Sequence, residues 1–163
     1  MKNKTLKNLT LAALFCALIF LAVFFAKIPL PFGYAHLGDA IMFLSALFLP
    51  LHYCIGAGAI GSVIADIAGG YGIYAPFTFI AKALSVSVFF LFSKSRKVFF
   101  RYILPCVLAA AVNAGIYFLS DYILYGISGA YASLPGNLMQ GAASIIIYCL
   151  TAVILNKKIN YHR

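Results

Sequence analysis

Residues 76–92 read PFTFIAKALSVSVFFLF, an apolar run of 17 residues with one charged side chain inside it, Lys82. A helix of this composition suits lipid better than water, and it is nearly as long as the 20 or so residues that cross a bilayer. Charged side chains inside membrane spans usually face the helix bundle or a cavity, where they pair with a partner. The stretch therefore predicts a membrane-spanning helix with a buried partner for Lys82.

The whole chain shares this character. Of its 163 residues, 64% are hydrophobic and 9% are charged, whereas about 25% are charged in an average soluble domain. This composition excludes a soluble globular protein, whose surface needs more charge, and an intrinsically disordered one, which needs more polarity. It predicts an all-α polytopic membrane protein that forms a single domain over residues 1–163.

Six apolar segments follow one another along the chain, separated by stretches rich in breakers or charge. The predicted spans are residues 6–26, 37–49, 53–68, 76–92, 102–122 and 137–155. The second has only 13 residues, so it is either a marginal crossing or a half-buried helix inside the bundle. The cluster Pro29–Gly33 and the small-residue stretch Gly126–Leu134 are predicted to be irregular or loop.

The distribution of basic residues predicts the orientation of this bundle of six transmembrane helices. With the N- and C-termini in the cytoplasm, ten of the twelve Lys and Arg residues lie on the cytoplasmic side, as the positive-inside rule requires. These ten are Lys2, Lys4, Lys7, Lys94, Arg96, Lys97, Arg101, Lys157, Lys158 and Arg163. The exceptions are Lys27 and Lys82. The net charge of +9 is thereby explained by topology, and no nucleic-acid partner is expected.

The three acidic residues of the chain, Asp39, Asp66 and Asp121, lie at the outer ends of their helices in this orientation. Asp39 could cap the free N–H groups at the start of its helix, and Asp39 and Asp66 are both possible partners for Lys82. Tyrosines gather at the same level, where they form either an interfacial aromatic belt or the wall of an outward-facing pocket. They are Tyr34, Tyr71, Tyr74, Tyr122, Tyr125 and Tyr131.

Polar side chains in and beside the predicted spans are candidates for substrate contact, with helix–helix hydrogen bonding as the alternative. Asn113 and Tyr117 share one helix face, and Asn137 and Gln140 share another, because they are four and three residues apart. The predicted substrate-binding residues are His36, Asp39, Asp66, Tyr74, Lys82, Asn113, Tyr117, Asn137 and Gln140.

Chemical motifs are missing from the sequence: it has no nucleophile–base set, no phosphate-binding P-loop and no metal-ligand spacing. We therefore expect no catalytic residue, no metal site and no cofactor. A different signal comes from Ala13 and Ala17, which form a small-residue face at the cytoplasmic end of the first span. Such faces allow close helix–helix approach in lipid, so this face either packs within the bundle or docks a partner protein.

An ordered set of short motifs covers nearly the whole chain. The set consists of Ala13-x-x-x-Ala17, Ile28-Pro-Leu-Pro, His36-Leu-Gly-Asp39, Gly61-Ser-x-x-Ala-Asp66, Tyr74-Ala-Pro-x-Thr-Phe-x-x-Lys82 and Pro135-Gly-Asn137-x-x-Gln140-Gly141. In this order the motifs resemble the substrate-binding S components of energy-coupling factor (ECF) vitamin transporters. The resemblance is closest to the branch that handles riboflavin, hydroxymethylpyrimidine and vitamin B6.

The resemblance implies a multi-pass protein of the bacterial plasma membrane that binds a vitamin at its outer face as the high-affinity subunit of an ABC importer. It implies three partners: a transmembrane coupling subunit, called the T component, and two cytoplasmic ATPase subunits that use the ATP. It also implies that the S component topples in the membrane to release its cargo. Ala13 and Ala17 inherit the role of docking the coupling subunit.

The mixture of charged, amide and aromatic candidates suits a small polar heteroaromatic vitamin. The expected substrate is a vitamin B6 form, such as pyridoxamine or pyridoxine, or hydroxymethylpyrimidine, with riboflavin next. Asp66 could meet an amine and Lys82 a phenolate. Two other classes stay open: a self-sufficient oligomeric facilitator or channel, and an intramembrane enzyme, for which no catalytic constellation is visible.

Overall fold

The computed structural model describes residues 2–29, 34–93 and 99–161, with side chains for residues 3–29, 34–93 and 99–155. Helices α1 (Lys2–Phe25), α2 (Gly38–Ser45), α3 (Leu51–Ala68) and α4 (Ala75–Phe92) are followed by a helical stretch, Leu104–Tyr161. Strands β1 (Ile28–Pro29) and β2 (Tyr34–Ala35) form a small antiparallel hairpin between α1 and α2. A 3₁₀ turn, Gly72–Tyr74, precedes α4, and a π-helical turn, Phe99–Ile103, precedes the last stretch.

Some of the predicted features lie outside the described residues. They are the centre of the breaker cluster at residues 30–33, the basic loop residues Lys94, Arg96 and Lys97, Arg163, and the side chains of Lys2, Lys157 and Lys158. Of the basic residues that the sequence assigns to the cytoplasmic side, the structure describes the side chains of Lys4, Lys7 and Arg101.

The chain has the helices of a membrane protein. Among the described residues, four helices are long and apolar enough to cross a bilayer: Asn3–Phe25, Leu51–Ala68, Gly72–Phe92 and Phe99–Leu155. Their outer surface carries large apolar side chains, and Leu14, Ile67, Leu91 and Leu150 are each more than half exposed. A soluble protein rarely exposes apolar surface of this extent, whereas lipid accommodates it. The predicted all-α membrane class is confirmed.

The second predicted span is much shorter than residues 37–49. Helix α2 has 8 residues, so it is about 12 Å long, against about 30 Å for the hydrocarbon core of a bilayer. Most of its residues are buried, including Asp39, Met42 and Phe43. Of the two possibilities left open by the sequence, the structure has the short helix inside the bundle.

The predicted loop at Gly126–Leu134 is wrong, because the backbone there is helical apart from one residue. Gly126 has φ 76° and ψ −176°, a conformation that glycine adopts readily because it has no Cβ. The break divides the last helical stretch into α5 (residues 104–125) and α6 (residues 127–161). The small residues that indicated a loop serve helix packing instead, since Ala130 and Ser133 are buried.

An aromatic cluster joins α2, α4 and α6. The ring of Phe43 stacks on Phe89 with centroids 4.9 Å apart, and Tyr148 meets both rings edge-on at 6.2 and 5.2 Å. All three side chains are buried. Edge-to-face and offset-stacked pairs at these distances are the preferred aromatic geometries, so the short α2 is held firmly in place.

Helices α1 and α3 approach closely at Gly61. A Cβ atom added to Gly61 would lie 2.6 Å from the carbonyl oxygen of Cys16 and 3.3 Å from the Cβ of Ile19. The face of α1 that includes Ile19 is thus packed on α3. Ala13 and Ala17 are exposed on another face of α1, which leaves them available to a partner.

We expect Gly61→Ala to destabilise the detergent-purified protein by about 1–3 kcal/mol, because the added methyl group forces α1 away from α3. The matched control is Gly56→Ala in the same helix, where an added Cβ meets nothing within 4 Å. Helix propensity should make the control neutral or slightly stabilising. Thermal unfolding followed by circular dichroism compares the two, and equal losses would contradict the close contact.

Candidate functional site

Lys82 of α4 is completely buried, and its ammonium group forms a salt bridge with Asp39 of α2 over 2.7 Å. The same ammonium donates a hydrogen bond to Oδ1 of Asn113 at 3.0 Å and lies 5.3 Å from the centroid of the Tyr117 ring. Of the two partners predicted for Lys82, Asp39 is the one it contacts. The salt bridge and its hydrogen bonds join α2, α4 and α5.

Gln140 of α6 completes this buried network. Its Nε2 donates to Oδ2 of Asp39 at 2.7 Å, and its Oε1 accepts the backbone N–H of His36 at 3.2 Å. Both oxygens of Asp39 are therefore bonded to side chains, and the carboxylate serves this network rather than the predicted helix cap. We call Asp39, Lys82, Asn113 and Gln140 the buried cluster.

A small polar cavity lies next to the buried cluster. Its wall is built from the hairpin region and from α3 to α6 with the 3₁₀ turn, and it consists of Tyr34, His36, Asp66, Tyr74, Thr78, Tyr117, Asp121 and Asn137. Its volume is about 30 Å³, which is room for about two waters. We call this space the tyrosine cavity.

Hydroxyl groups organise the acidic residues around the tyrosine cavity. Tyr34 donates a hydrogen bond to Oδ1 of Asp66. Tyr74 donates to Oδ1 of Asp121 at 2.6 Å, and Ser133 donates to the other oxygen of that carboxylate. The phenol of Tyr34 is therefore a donor to the Asp66 carboxylate.

One carboxylate oxygen at the cavity is left open. Asp66 is only 4% exposed, yet its Oδ2 has no hydrogen-bond partner among the described residues. The hydroxyl of Thr78 lies beside this carboxylate and shares a hydrogen bond of 2.9 Å with the Tyr117 hydroxyl, in which either group can be the donor. A buried acceptor without a partner costs free energy, so Asp66 Oδ2 is a natural acceptor for a ligand that enters the cavity.

His36 can supply a donor to the same cavity. Its Nδ1 accepts the backbone N–H of Gly38 at 3.1 Å. Because Nδ1 is the acceptor, the imidazole is neutral and carries its proton on Nε2.

The nine predicted site residues meet in two adjoining groups. Five of them line the tyrosine cavity: His36, Asp66, Tyr74, Tyr117 and Asn137. The other four make up the buried cluster, where they bond to one another and to the backbone of His36. Lys82 uses two of its three N–H donors on Asp39 and Asn113, so its predicted contact with a phenolate stays a prediction. Ligand contact by the five cavity residues stays a prediction.

Three cavity residues were missed from the sequence: Tyr34, Thr78 and Asp121. Asp121 carried a signal, since acidic residues in membrane spans usually mark a site. Tyr34 belonged to a group that fits either a belt or a pocket, and its bond to Asp66 assigns it to the pocket. By contrast, Tyr122 and Tyr131 are more than half exposed, as belt residues would be.

A second cavity lies between the end of α1, the hairpin and α6. It is larger, about 410 Å³, and is lined mostly by apolar groups such as Ile28, Leu37 and Met139, with His36 and Gln140 shared with the first site. This volume lies in the usual range of small-molecule sites, whereas the tyrosine cavity is smaller but offers a polar heteroaromatic ligand more hydrogen-bonding partners.

Metal binding is not indicated at either cavity. Across the described part of the chain, no group of three or more His, Cys, Asp and Glu side chains is placed to hold a metal ion. The acidic oxygens of Asp39 and Asp121 are occupied by Lys, Gln, Tyr and Ser donors.

We expect Lys82→Met to destabilise the ligand-free protein by about 3–5 kcal/mol, because it leaves the Asp39 charge buried without its partner. The double variant Asp39→Asn/Lys82→Met should recover most of this loss, since it removes both charges. Lys27→Met is the control, because Lys27 is only partly buried and stacks over the rings of Tyr34 and Tyr71. Unfolding midpoints in detergent measure all three, and a double variant as unstable as the single one would contradict the pairing.

Comparison with known proteins gives two matches. Residues 3–157 match the family model described as "ECF-type riboflavin transporter, S component". The chain is also 36% identical over 138 residues to a Pyrococcus woesei protein described as an uncharacterised protein in the gap 3′ region, an alignment that covers 82% of this chain and 90% of that protein. No solved structure matches the chain.

Proposed function

The chain belongs to the family of S components of ECF-type riboflavin transporters, and from this premise we propose that it captures a small heteroaromatic vitamin in the tyrosine cavity. The observation that carries the proposal is the cavity wall, where aromatic faces surround a buried acceptor, Asp66 Oδ2, that has no partner among the described residues. In this proposal the site binds a ligand without transforming it. In this proposal the ATP is used by partner subunits.

We propose that six crossings of the membrane are made with only four long apolar helical stretches. Tyr34, which follows α1, is bonded to Asp66 near the end of α3, so α1 and α3 end on the same side. Residues 26–50 must then return across the membrane, with α2 as the helical part of that return. The break at Gly126 divides the last stretch into two further crossings.

The proposed orientation puts the tyrosine cavity outside and both termini in the cytoplasm, as expected for a multi-pass protein of the plasma membrane. Lys4 and Lys7 at the start of α1 and Arg101 before α5 lie at the helix ends remote from the cavity, which agrees with the positive-inside rule. Asp66 near the end of α3 and Asp121 near the end of α5 mark the opposite, outer side.

The proposed substrate is a vitamin B6 form, such as pyridoxamine or pyridoxine, or hydroxymethylpyrimidine. A cavity with room for about two waters expands more easily around one ring than around three. Riboflavin is the second candidate, and the description of the matching family favours it. Binding of riboflavin would require a larger rearrangement of the cavity wall.

The proposed partners are a T component and two ATPase subunits, with toppling of the S component as the release step. Two features support this. Ala13 and Ala17 are exposed on α1, on a face that α3 does not occupy, and the outer surface of the bundle is apolar on many sides. An S component with such a surface can tilt in lipid, because few charged groups would have to enter the hydrocarbon.

Titration of the purified chain with a panel of vitamers tests the binding function. The panel consists of pyridoxamine, pyridoxal, pyridoxine, hydroxymethylpyrimidine, thiamine and riboflavin. We expect one single-ring vitamer to bind with submicromolar affinity, measured by calorimetry and by native mass spectrometry. Absence of binding by folded protein would contradict the proposal, and flux of a vitamer through liposomes without partner proteins would indicate a self-sufficient facilitator instead.

Substitution of the α1 face tests the docking assignment. Ala13→Trp and Ala17→Trp should abolish co-purification with the coupling subunit and uptake, because indole rings prevent close helix approach, while vitamin binding is retained. Leu150→Trp is the control, since Leu150 is 64% exposed on α6. Assembly and uptake that survive both alanine substitutions would show that this face does not dock the partner.

A further inference from the structure

We propose that the tyrosine cavity selects ligands that carry an amino group on a single aromatic ring, and that Asp66 Oδ2 accepts the hydrogen bond from this amino group. The inference rests on the proposed function and narrows its substrate class. It assigns to Asp66 the discrimination between amine-bearing vitamers and otherwise identical ones that carry a hydroxyl group or a phosphate.

The charges of the groups around the cavity are the first observation that supports this inference. The ammonium group of Lys82 is already neutralised by Asp39 inside the buried cluster. Among the described residues, the cavity wall contains two carboxylates, Asp66 and Asp121, and no lysine or arginine. Lys27 stays outside this wall, with its ammonium group over the outer ring system of Tyr34 and Tyr71 at 5.6 and 5.7 Å. A buried site with this charge favours a cationic ligand and disfavours an anionic one.

The hydrogen bonds of the two carboxylates are the second observation. Both oxygens of Asp121 are occupied, by Tyr74 and Ser133. One oxygen of Asp66 is occupied by Tyr34, which leaves Oδ2 as the carboxylate oxygen of this wall without a partner among the described residues. A ligand ammonium group placed there gains a charge-assisted hydrogen bond, which is roughly twice as strong as a neutral one.

The third step is the complementary donor. Neutral His36 carries its proton on Nε2, because its Nδ1 accepts the N–H of Gly38. A pyridine or pyrimidine ring has a nitrogen that accepts such a proton, and the rings of Tyr74 and Tyr117 supply faces for stacking. An aromatic ring with one acceptor nitrogen and one amino substituent therefore matches the groups that the cavity offers.

Calorimetric titration with matched ligands tests the assignment. Pyridoxamine and pyridoxine share a ring and differ in an aminomethyl against a hydroxymethyl group, and pyridoxamine phosphate adds an anionic group. For the unaltered protein we expect pyridoxamine to bind at least about 10-fold more tightly than pyridoxine, and the phosphate ester to bind more weakly than pyridoxamine. An aminopyrimidine and its 4-oxo analogue form a second matched pair.

The deciding variant is Asp66→Asn. The amide keeps an oxygen to accept the Tyr34 hydrogen bond, so the fold should be retained, but it replaces the open oxygen with an NH₂ group. We expect the preference for pyridoxamine over pyridoxine to fall to about 1, and the 4-oxo pyrimidine to gain relative to the aminopyrimidine. Unfolding midpoints without ligand verify that the variant is folded.

The matched control is Asp121→Asn, which removes the same formal charge from the same wall. Because both oxygens of Asp121 are already bonded, this variant should lower the preference for the cationic pyridoxamine only through the lost charge, and by less than Asp66→Asn does. An equal loss of preference in both variants would overturn the specific role of Asp66.

The outcomes separate this inference from the proposed function. If the unaltered protein binds a vitamer tightly but does not distinguish amine from hydroxyl, the inference fails and the binding function stands. The same holds if pyridoxamine phosphate binds as tightly as pyridoxamine. If no vitamer of the panel binds to folded protein, both the proposed function and this inference fail.

Discussion

The salt bridge between Lys82 and Asp39 is the interaction on which the rest of the structure depends. An ammonium group inside an apolar helix needs a charged partner nearby, and Asp39 can reach it only if α2 enters the bundle. This requirement explains why α2 is short and buried. Gln140 then occupies the second oxygen of Asp39 and holds the backbone of His36, so the segment after the hairpin is fixed by the same pair.

The buried cluster also determines what the neighbouring cavity can do. Lys82 forms its salt bridge with Asp39, whereas the described wall of the cavity contains Asp66 and Asp121. The cluster acts as a neutral, rigid floor that positions His36 and Tyr117, both of which line the cavity. The proposed selectivity rests on Asp66 Oδ2, the carboxylate oxygen of this wall that has no partner among the described residues.

The sequence predicted a structural feature correctly where a single physical constraint determines that feature. Composition alone predicted a helical membrane protein, and the isolated Lys82 predicted a buried partner, with Asp39 as one of two possibilities. The length of α2 and the helical course of residues 127–134 could not be predicted, because small residues such as Ala130 and Ser133 suit both loops and close helix contacts. Tyr34 was ambiguous for a similar reason, since only its bond to Asp66 distinguishes a pocket tyrosine from a belt tyrosine.

The two faces of α1 offer a physical link between the cavity and the proposed docking surface. Near the end of α1, Val23 packs so closely on α2 that a Cβ added to Gly38 would lie 2.5 Å from its Cγ2. Gly38 in turn donates its N–H to His36, a residue of the cavity wall. Ala13 and Ala17 are exposed on that same helix, so α1 carries the proposed docking face and, near its end, packs against the segment that bonds to His36.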